Sequence, residues 1–305
     1  MIAIAITITF ITLGFILQKN HKQFASKIKP LSQKINFYLL LALISFLFAN
    51  KQQNIILGIP FILGITIQLF PALLGLLFKK KSPNFATDLL IFSSYGGGNR
   101  GVLLLTLFEP SLLPLFIIID LGNFISLLLI YPLLIRLNDN TNLATKQKKS
   151  AWWDIVLILI AIASGFALRA WDNNFIPLLN TMTKQLITIS IALYLGLQFN
   201  PEILKHPCLL LKRMFAARIV GLLLPTVFCL TCYYLGWLNE IDLQASLIIV
   251  ALFVLLPVSS LVPVMLEHSS IHKQVVDDVV GSSGLYLLAL IFLSLLKTIL
   301  NISYV

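Results

Sequence analysis

Long apolar runs separated by short polar segments recur along the whole chain. Most of these runs are close to the ~20 residues that an α-helix needs to cross a bilayer. The pattern therefore predicts an all-α polytopic membrane protein with ten transmembrane helices. The predicted spans cover residues 1–17, 35–49, 55–78, 85–108, 112–135, 152–171, 175–197, 214–236, 243–266 and 279–300.

A polar stretch near the middle of the chain, from Arg136 to Ser150, divides the spans into five and five. Because five is an odd number, the second set must start from the opposite side of the membrane and run inverted relative to the first. The sequence thus predicts a first repeat over residues 1–136, a cytoplasmic linker over 137–150 and an inverted second repeat over 151–305. Inverted repeats are typical of secondary transporters, which bind their substrate near the bilayer midplane.

Composition and charge support this interpretation. Charged residues make up 11% of the chain and hydrophobic residues 58%, whereas a soluble domain is about 25% charged. The formal net charge is +10. With both termini outside, the loops predicted to lie inside hold 16 of the 22 Lys and Arg residues, as the positive-inside rule requires. The basic residues therefore indicate a multi-pass protein of the inner or plasma membrane and no nucleic-acid partner.

The fourth span contains three consecutive glycines followed by an arginine, in the segment Tyr95 to Gly101. Glycine has low helix propensity, and an arginine at the centre of a bilayer costs at least ~2.5 kcal/mol. Unwound backbone at membrane depth is tolerated only where it is buried in protein or lines a water-filled cavity. The segment therefore predicts a broken helix that faces a cavity.

The ninth span, which occupies the corresponding position in the second half, contains Pro257 and Pro263. Proline removes a backbone donor and clashes with the preceding turn of a helix. We therefore expect helix nine to be broken as well. The two predicted breaks occupy corresponding positions in the two repeats, so we expect them to meet near the midplane of the bilayer.

A half-helix that begins inside the membrane has free amide groups and a partial positive charge at its start. Asn99, Ser259 and Ser260 are good N-cap residue types, and an arginine clamps a carboxylate with two hydrogen bonds. We therefore expect a small organic anion between the two breaks. The candidate substrate-binding residues are Gly98, Asn99, Arg100, Asp120, Asn123, Pro257, Ser259 and Ser260.

Two alternatives for the charged residues stay open at this point. Arg100 is able to pair with Asp120 of the fifth span, which would leave a neutral site, or to snorkel. Asp120 is also a candidate ligand for a coupling proton or cation, because lone intramembrane carboxylates mark relays. Arg218, one turn inside the eighth span, is expected to snorkel as an anchor, and Gln198 is expected at the inner interface.

No phosphate loop, dinucleotide fingerprint or nucleophile elbow occurs in the sequence. His268 and His272 are four residues apart, but they lack a third ligand of the usual kind. From the sequence we therefore expect that the protein is not an enzyme, and that it has no metal site and no cofactor other than a coupling ion, H⁺ or Na⁺.

Four short motifs resemble those of the auxin efflux carrier family, which is related in fold to the bile-acid/sodium symporters. Residues 98–102 are similar to the family's first crossover, and residues 119–123 to its fifth-span motif. Leu256-Pro257 followed by Ser259-Ser260 resembles the second crossover. Residues 154–168, with Ile176-Pro177 and 192–197 after them, resemble the opening of the family's second half.

This resemblance implies ten helices, a panel for dimer or scaffold contact, and a mobile crossover bundle that moves organic anions by an elevator-like movement. Arg100 is not a typical crossover residue of the family, which leaves the substrate class open. The sequence therefore predicts a secondary active transporter that works by alternating access in the lipid bilayer. The alternatives are a sodium-coupled symporter of the bile-acid type and a non-transporting membrane scaffold or sensor.

Overall fold

The computed structural model describes residues 2–49, 58–96, 98–129, 148–169, 175–199, 207–259, 262 and 272–299. Within these ranges the secondary structure is helical, apart from one isolated bridge between Tyr95 and Val258. A short 3-10 helix, Pro110–Leu112, precedes the sixth α-helix. The described residues form eleven α-helices: α1 (Ile2–Asn20), α2 (Lys22–Ala49), α3 (Gly58–Phe78), α4 (Pro83–Phe92), α5 (Gly98–Phe108), α6 (Leu113–Leu129), α7 (Lys148–Arg169), α8 (Phe175–Gln198), α9 (Pro207–Tyr234), α10 (Glu240–Phe253) and α11 (His272–Ile299).

Six of the described helical segments are long and apolar enough to cross a membrane, which indicates a multi-pass membrane protein. They belong to α1, α2, α3, α6, α9 and α11. By contrast, α4, α5 and α10 have 10, 11 and 14 residues. At 1.5 Å per residue, none of these three exceeds about 21 Å, so each is too short to cross alone.

The helices pack in two groups. We call α1, α2, α7 and α8 the four-helix group, because α1 packs on α8 while α2 packs on both α7 and α8. We call α3–α6 and α9–α11 the crossing group, in which α3 packs on α4, α6 and α9, and α9 packs on α4, α10 and α11. Helix α5 contacts both groups, through α6 and α8.

Two glycines allow α3 and α6 to approach closely at the centre of the crossing group. A Cβ atom added at Gly64 would collide with the carbonyl of Ile119, and one added at Gly122 would collide with the carbonyl of Phe61. Small residues at such contacts let two backbones approach within the membrane. This contact fixes α6, and with it Asp120 and Asn123, against α3.

The structure corrects the expected loop between the first two spans. Residues 18–34 were expected to form a polar inside loop, but α1 extends to Asn20 and α2 begins at Lys22. Lysine and glutamine, which are frequent in this stretch, are good helix formers, and Pro30 is accommodated inside α2. The predicted linker lies outside the described residues up to 147, and α7 already begins at Lys148.

Candidate functional site

The fourth apolar run forms two helices rather than one. Helix α4 ends at Phe92, and α5 begins at Gly98. The hydroxyls of Ser93 and Ser94 donate to the carbonyls of Leu90 (3.2 Å) and Ile91 (2.5 Å), which lie in the last turn of α4. These hydrogen bonds satisfy carbonyls that the end of a helix leaves without an intrahelical partner.

The ninth run is interrupted too, and its interruption lies against the first one. Helix α10 ends at Phe253, and the backbone at Pro257–Ser259 is not helical. The Gly96 amide donates to the Pro257 carbonyl (2.8 Å), and the Ser259 amide donates to the Ser94 carbonyl (2.6 Å). The two interrupted segments therefore cross in antiparallel directions and bond to each other directly.

The space around Gly96 leaves little room for a side chain at this crossing. A Cβ atom at Gly96 would lie 2.9 Å from Nη1 of Arg100 and 3.3 Å from the Pro257 carbonyl oxygen. A side chain would therefore separate the two segments or displace the guanidinium. The Val258 amide, on the opposing segment, donates to the Ser282 hydroxyl (3.0 Å) and so ties the crossing to α11.

Arg218 lies at the carbonyl ends of both half-helices, contrary to the expectation that it snorkels. Its Nε donates to the Phe92 carbonyl (3.2 Å) and its Nη1 to the Val254 carbonyl (2.7 Å), and the residue is 0% exposed. The C-terminal end of a helix carries partial negative charge, which a cation stabilises. Arg218 stays buried because two such ends lie within reach of one guanidinium. Its guanidinium also lies 5.2 Å from the Tyr95 ring centre.

Asp120 lies at the amide end of α5. Its Oδ2 accepts a hydrogen bond from the Gly98 amide (2.6 Å), and its Oδ1 accepts one from Nδ2 of Asn123 (3.2 Å). A carboxylate is stabilised by the partial positive charge at a helix start. Asn99 is therefore not the N-cap: it is the second residue of α5, and its Oδ1 has no hydrogen-bond partner among the described residues.

Arg100 is buried, at 8% exposure, and its side chain bonds only to neutral groups within the described part of the chain. Nη1 donates to the Val258 carbonyl (3.4 Å), and Nη2 donates to Oε1 of Gln198 (3.1 Å). The Tyr286 hydroxyl donates to the Arg100 carbonyl (2.6 Å). The alternative pairing of Arg100 with Asp120 is not formed in this structure.

A cavity of about 340 Å³ lies in front of these groups, between the four-helix group and the crossing group. Its walls are largely apolar and include Phe37, Phe48 and Phe116. This volume is within the range of small-molecule sites, which combine apolar walls with a few polar groups. Six of the candidate residues line it: Gly98, Asn99, Arg100, Asp120, Asn123 and Ser259. Pro257 contributes its carbonyl to the crossing, and Ser260 lies outside the described residues.

Among the other lining residues, the polar side chains of Gln33 of α2, Asp154 of α7 and Tyr194 of α8 were not predicted. Gln33 was missed because residues 18–34 were assigned to a loop. The sequence feature that could have identified Gln33 is its helical spacing, because Gln33 lies one turn before Phe37 on the face that lines the cavity. The signal at Asp154 is a single carboxylate at the start of an apolar run, which is unusual for a membrane span.

A second charged centre lies apart from this cavity and holds three helices together. The Arg213 guanidinium of α9 lies between Asp88 of α4 (2.6 Å) and Asp278 of α11 (3.0 Å). It makes hydrogen bonds to both oxygens of each carboxylate. The guanidinium also lies 5.3 Å from the ring centre of Phe92. Arginine is suited to such two-pronged pairing because of its planar fork of donors.

Within the described ranges, no three His, Cys, Asp or Glu side chains form a group that could hold a metal ion. Comparison with known proteins adds no assignment. No protein-family model matches the chain, and no curated protein matches it either.

Proposed function

We propose that this protein is a secondary active transporter that carries a small organic anion across the membrane by alternating access. The observation that carries the proposal is the setting of Arg100. Its guanidinium borders a cavity of about 340 Å³ and has only neutral hydrogen-bond partners among the described residues. The group that would complete this arrangement is an anion in the cavity.

The energetics favour a carboxylate. Burial of a cation is costly unless the cation is paired and hydrogen-bonded. A solute carboxylate would supply the counter-charge and two strong hydrogen bonds. No side chain of the described residues accepts from the amides of Asn99 and Arg100, so the start of α5 offers further donors.

The walls favour an organic rather than an inorganic anion. Phe37 and Phe48 of α2 and Phe116 of α6 present apolar surface opposite the polar groups. Such surface stabilises the apolar body of a solute, at roughly 25 cal/mol per Å² removed from water. We therefore expect a carboxylate with a compact hydrophobic body.

The helix contacts support the proposed pair of inverted repeats. In the proposed repeats, α7, α8 and α9 of the second half are the counterparts of α1, α2 and α3 of the first half. The counterpart of the contact between α1 and α8 is therefore the contact between α7 and α2, and both contacts are present. The packing of α3 on α4 likewise corresponds to that of α9 on α10. These matches support a repeat relationship between the two halves.

A sodium-coupled symporter is the second candidate, and buried oxygens on α6 favour it. Oδ1 of Asn123 and Oγ of Ser126 are buried and have no hydrogen-bond partner among the described residues. They lie three and six residues after Asp120 on the same helix, within about two turns of it. Oxygen atoms of this kind bind hard cations. If this candidate is correct, uptake will require a sodium gradient rather than a proton gradient.

Uptake of radiolabelled carboxylates into proteoliposomes tests the proposal. We expect saturable uptake by the wild-type protein and a loss of at least about 100-fold in the Arg100→Gln variant, because breaking a buried charge pair costs about 3 kcal/mol or more. Lys184→Gln is the matched control, since Lys184 is a half-buried cation outside the cavity lining. Uptake by Arg100→Gln at the wild-type rate would contradict the proposal, and absence of any flux would favour a scaffold or sensor.

A further inference from the structure

Gln198 is the residue through which the four-helix group reaches Arg100. It is the last residue of α8, and its Oε1 accepts the 3.1 Å hydrogen bond from Nη2 of Arg100. The two other hydrogen bonds of Arg100, to Val258 and Tyr286, remain inside the crossing group. Among the described residues, the Gln198 amide is therefore the polar contact that joins Arg100 to the other group.

The Gln198 oxygen is a weaker partner for Nη2 than a carboxylate oxygen would be. Both are planar oxygen acceptors, but a hydrogen bond from arginine to an ionised carboxylate is shorter and roughly twice as strong as one to a neutral acceptor. Gln198 itself does not line the cavity, so a carboxylate would reach the guanidinium through Arg100, which does. Nη1 is held only weakly, at 3.4 Å from the Val258 carbonyl oxygen. A carboxylate that entered the cavity would therefore compete successfully for Nη2.

We propose that Gln198 is a latch that solute binding opens. The inference rests on the proposed function, because it needs an anion that binds Arg100. In the empty protein, the Gln198 amide holds Arg100 and so restrains the crossing group against the four-helix group. An arriving carboxylate displaces Oε1 of Gln198 and removes this restraint, while Val258 and Tyr286 keep Arg100 with the crossing group.

A latch at Gln198 would compete with the solute for Arg100, whereas a residue that only positions Arg100 would not compete. If Gln198 positions Arg100, its removal will weaken binding. If it competes, its removal will strengthen binding. The sign of the change in affinity therefore separates the two roles.

Calorimetric titration of the purified protein with benzoate, and with benzamide as its neutral counterpart, measures that sign. For Gln198→Leu we expect about 5-fold tighter benzoate binding, the change that one net hydrogen bond corresponds to. For Gln198→Glu we expect benzoate binding to weaken by about 100-fold, because a tethered carboxylate would pair with Arg100. Benzamide binding should change little in either variant.

The same two substitutions at Gln185 are the matched controls. Gln185 lies on the same helix and is exposed, and unlike Gln198 it makes no hydrogen bond to Arg100. Its variants should bind benzoate as the wild-type protein does. Unchanged or weaker benzoate binding by Gln198→Leu, with normal wild-type binding, would overturn the latch and leave the proposed function standing.

A measurement without solute separates the two proposals. Gln198→Glu should raise the melting temperature of the empty protein, and the gain should vanish when Arg100→Gln is added. The gain in melting temperature could depend on Arg100 as expected, while neither the wild-type protein nor Gln198→Leu binds benzoate or any of a wider set of carboxylates. In that case the proposed function is wrong, and the latch, which depends on it, is wrong as well. If this dependence on Arg100 is absent, the contact between Gln198 and Arg100 is overturned directly.

Discussion

Arg213 and Arg100 are two partly or fully buried arginines of the crossing group, and their partners differ in kind. Arg213 lies between the carboxylates of Asp88 and Asp278. Arg100 bonds to the Gln198 amide and the Val258 carbonyl, and its nearest acidic neighbour on α6, Asp120, is bonded to Gly98 and Asn123 instead. Among the described residues, carboxylates neutralise the first arginine but not the second.

The contrast indicates which arginine serves structure and which serves binding. Carboxylates from two further helices hold Arg213 in place, so a solute has nothing to add there. Arg100 borders the cavity, and its neutral partners are ones that an anion is able to replace. A buried charge with exchangeable partners is a better indication of a binding site than a buried charge alone.

Among the substitutions that test this comparison, Arg213→Leu is expected to lower the free energy of unfolding most. Arg213→Leu leaves the carboxylates of Asp88 and Asp278 without their cation, and loss of one partner of a buried ion pair costs about 3–5 kcal/mol. Because the Arg213 side chain is 25% exposed, we expect the lower end of that range. Unfolding in mixed detergent measures it, with the exposed neighbour Lys212→Leu as the control. Equal stability of the two variants would show that the ion pairs contribute nothing.

A smaller loss is expected at Arg218, which bonds to the carbonyl ends of α4 and α10. Arg218→Leu leaves two buried carbonyls without donors, at a cost of about 2–3 kcal/mol. Arg218→Lys keeps the charge but lacks the fork that reaches both carbonyls, so we expect an intermediate loss. Hydrogen exchange should accelerate at the amides of Gly96 and Ser259, which form the crossing. Slow exchange at both amides in Arg218→Leu would contradict this role.

The smallest effect on stability is expected at Asp120. Asp120→Asn keeps an oxygen that accepts from the Gly98 amide but removes the negative charge at the start of α5, which contributes about 0.5–1 kcal/mol. Asp154→Asn makes the same change on the cavity wall away from a helix start, and should leave the unfolding free energy unchanged. If Asp120 binds the coupling ion, Asp120→Asn will also abolish the dependence of uptake on that ion. An equal effect of both variants would remove the special role of Asp120.

The helices and the two interruptions were predictable from sequence because they depend on local properties. Apolar runs of sufficient length indicate membrane helices, and the glycines before Arg100 and the proline at 257 act on the backbone of their own segment. Gly98, Asn99, Arg100 and Ser259 follow from the same reasoning, whereas Asp120 and Asn123 were candidates from the polar motif of the fifth span. The ten-helix inverted repeat and its orientation stay predictions.

The partners of the charged groups were not predictable, because they come from distant parts of the chain. Spacing within α9 gives no sign that Arg218 meets the ends of α4 and α10, and so a snorkelling anchor was expected. The bond from Gln198 to Arg100 likewise depends on how α8 packs against α5. Charge counting on the linear sequence also assigned residues 22–34 to a loop, although lysine-rich segments form helices readily.

The most direct test of the contrast between the two arginines measures stability and benzoate affinity together in Arg100→Gln and Arg213→Gln. For Arg100→Gln we predict an unfolding free energy within about 0.5 kcal/mol of the wild-type value, or above it, because a buried charge without a carboxylate partner is removed. Its benzoate binding should be lost, whereas Arg213→Gln should lose stability and, where folded, keep binding. If Arg100→Gln unfolds as easily as Arg213→Gln and still binds benzoate, Arg100 is a structural residue and the site has been assigned wrongly.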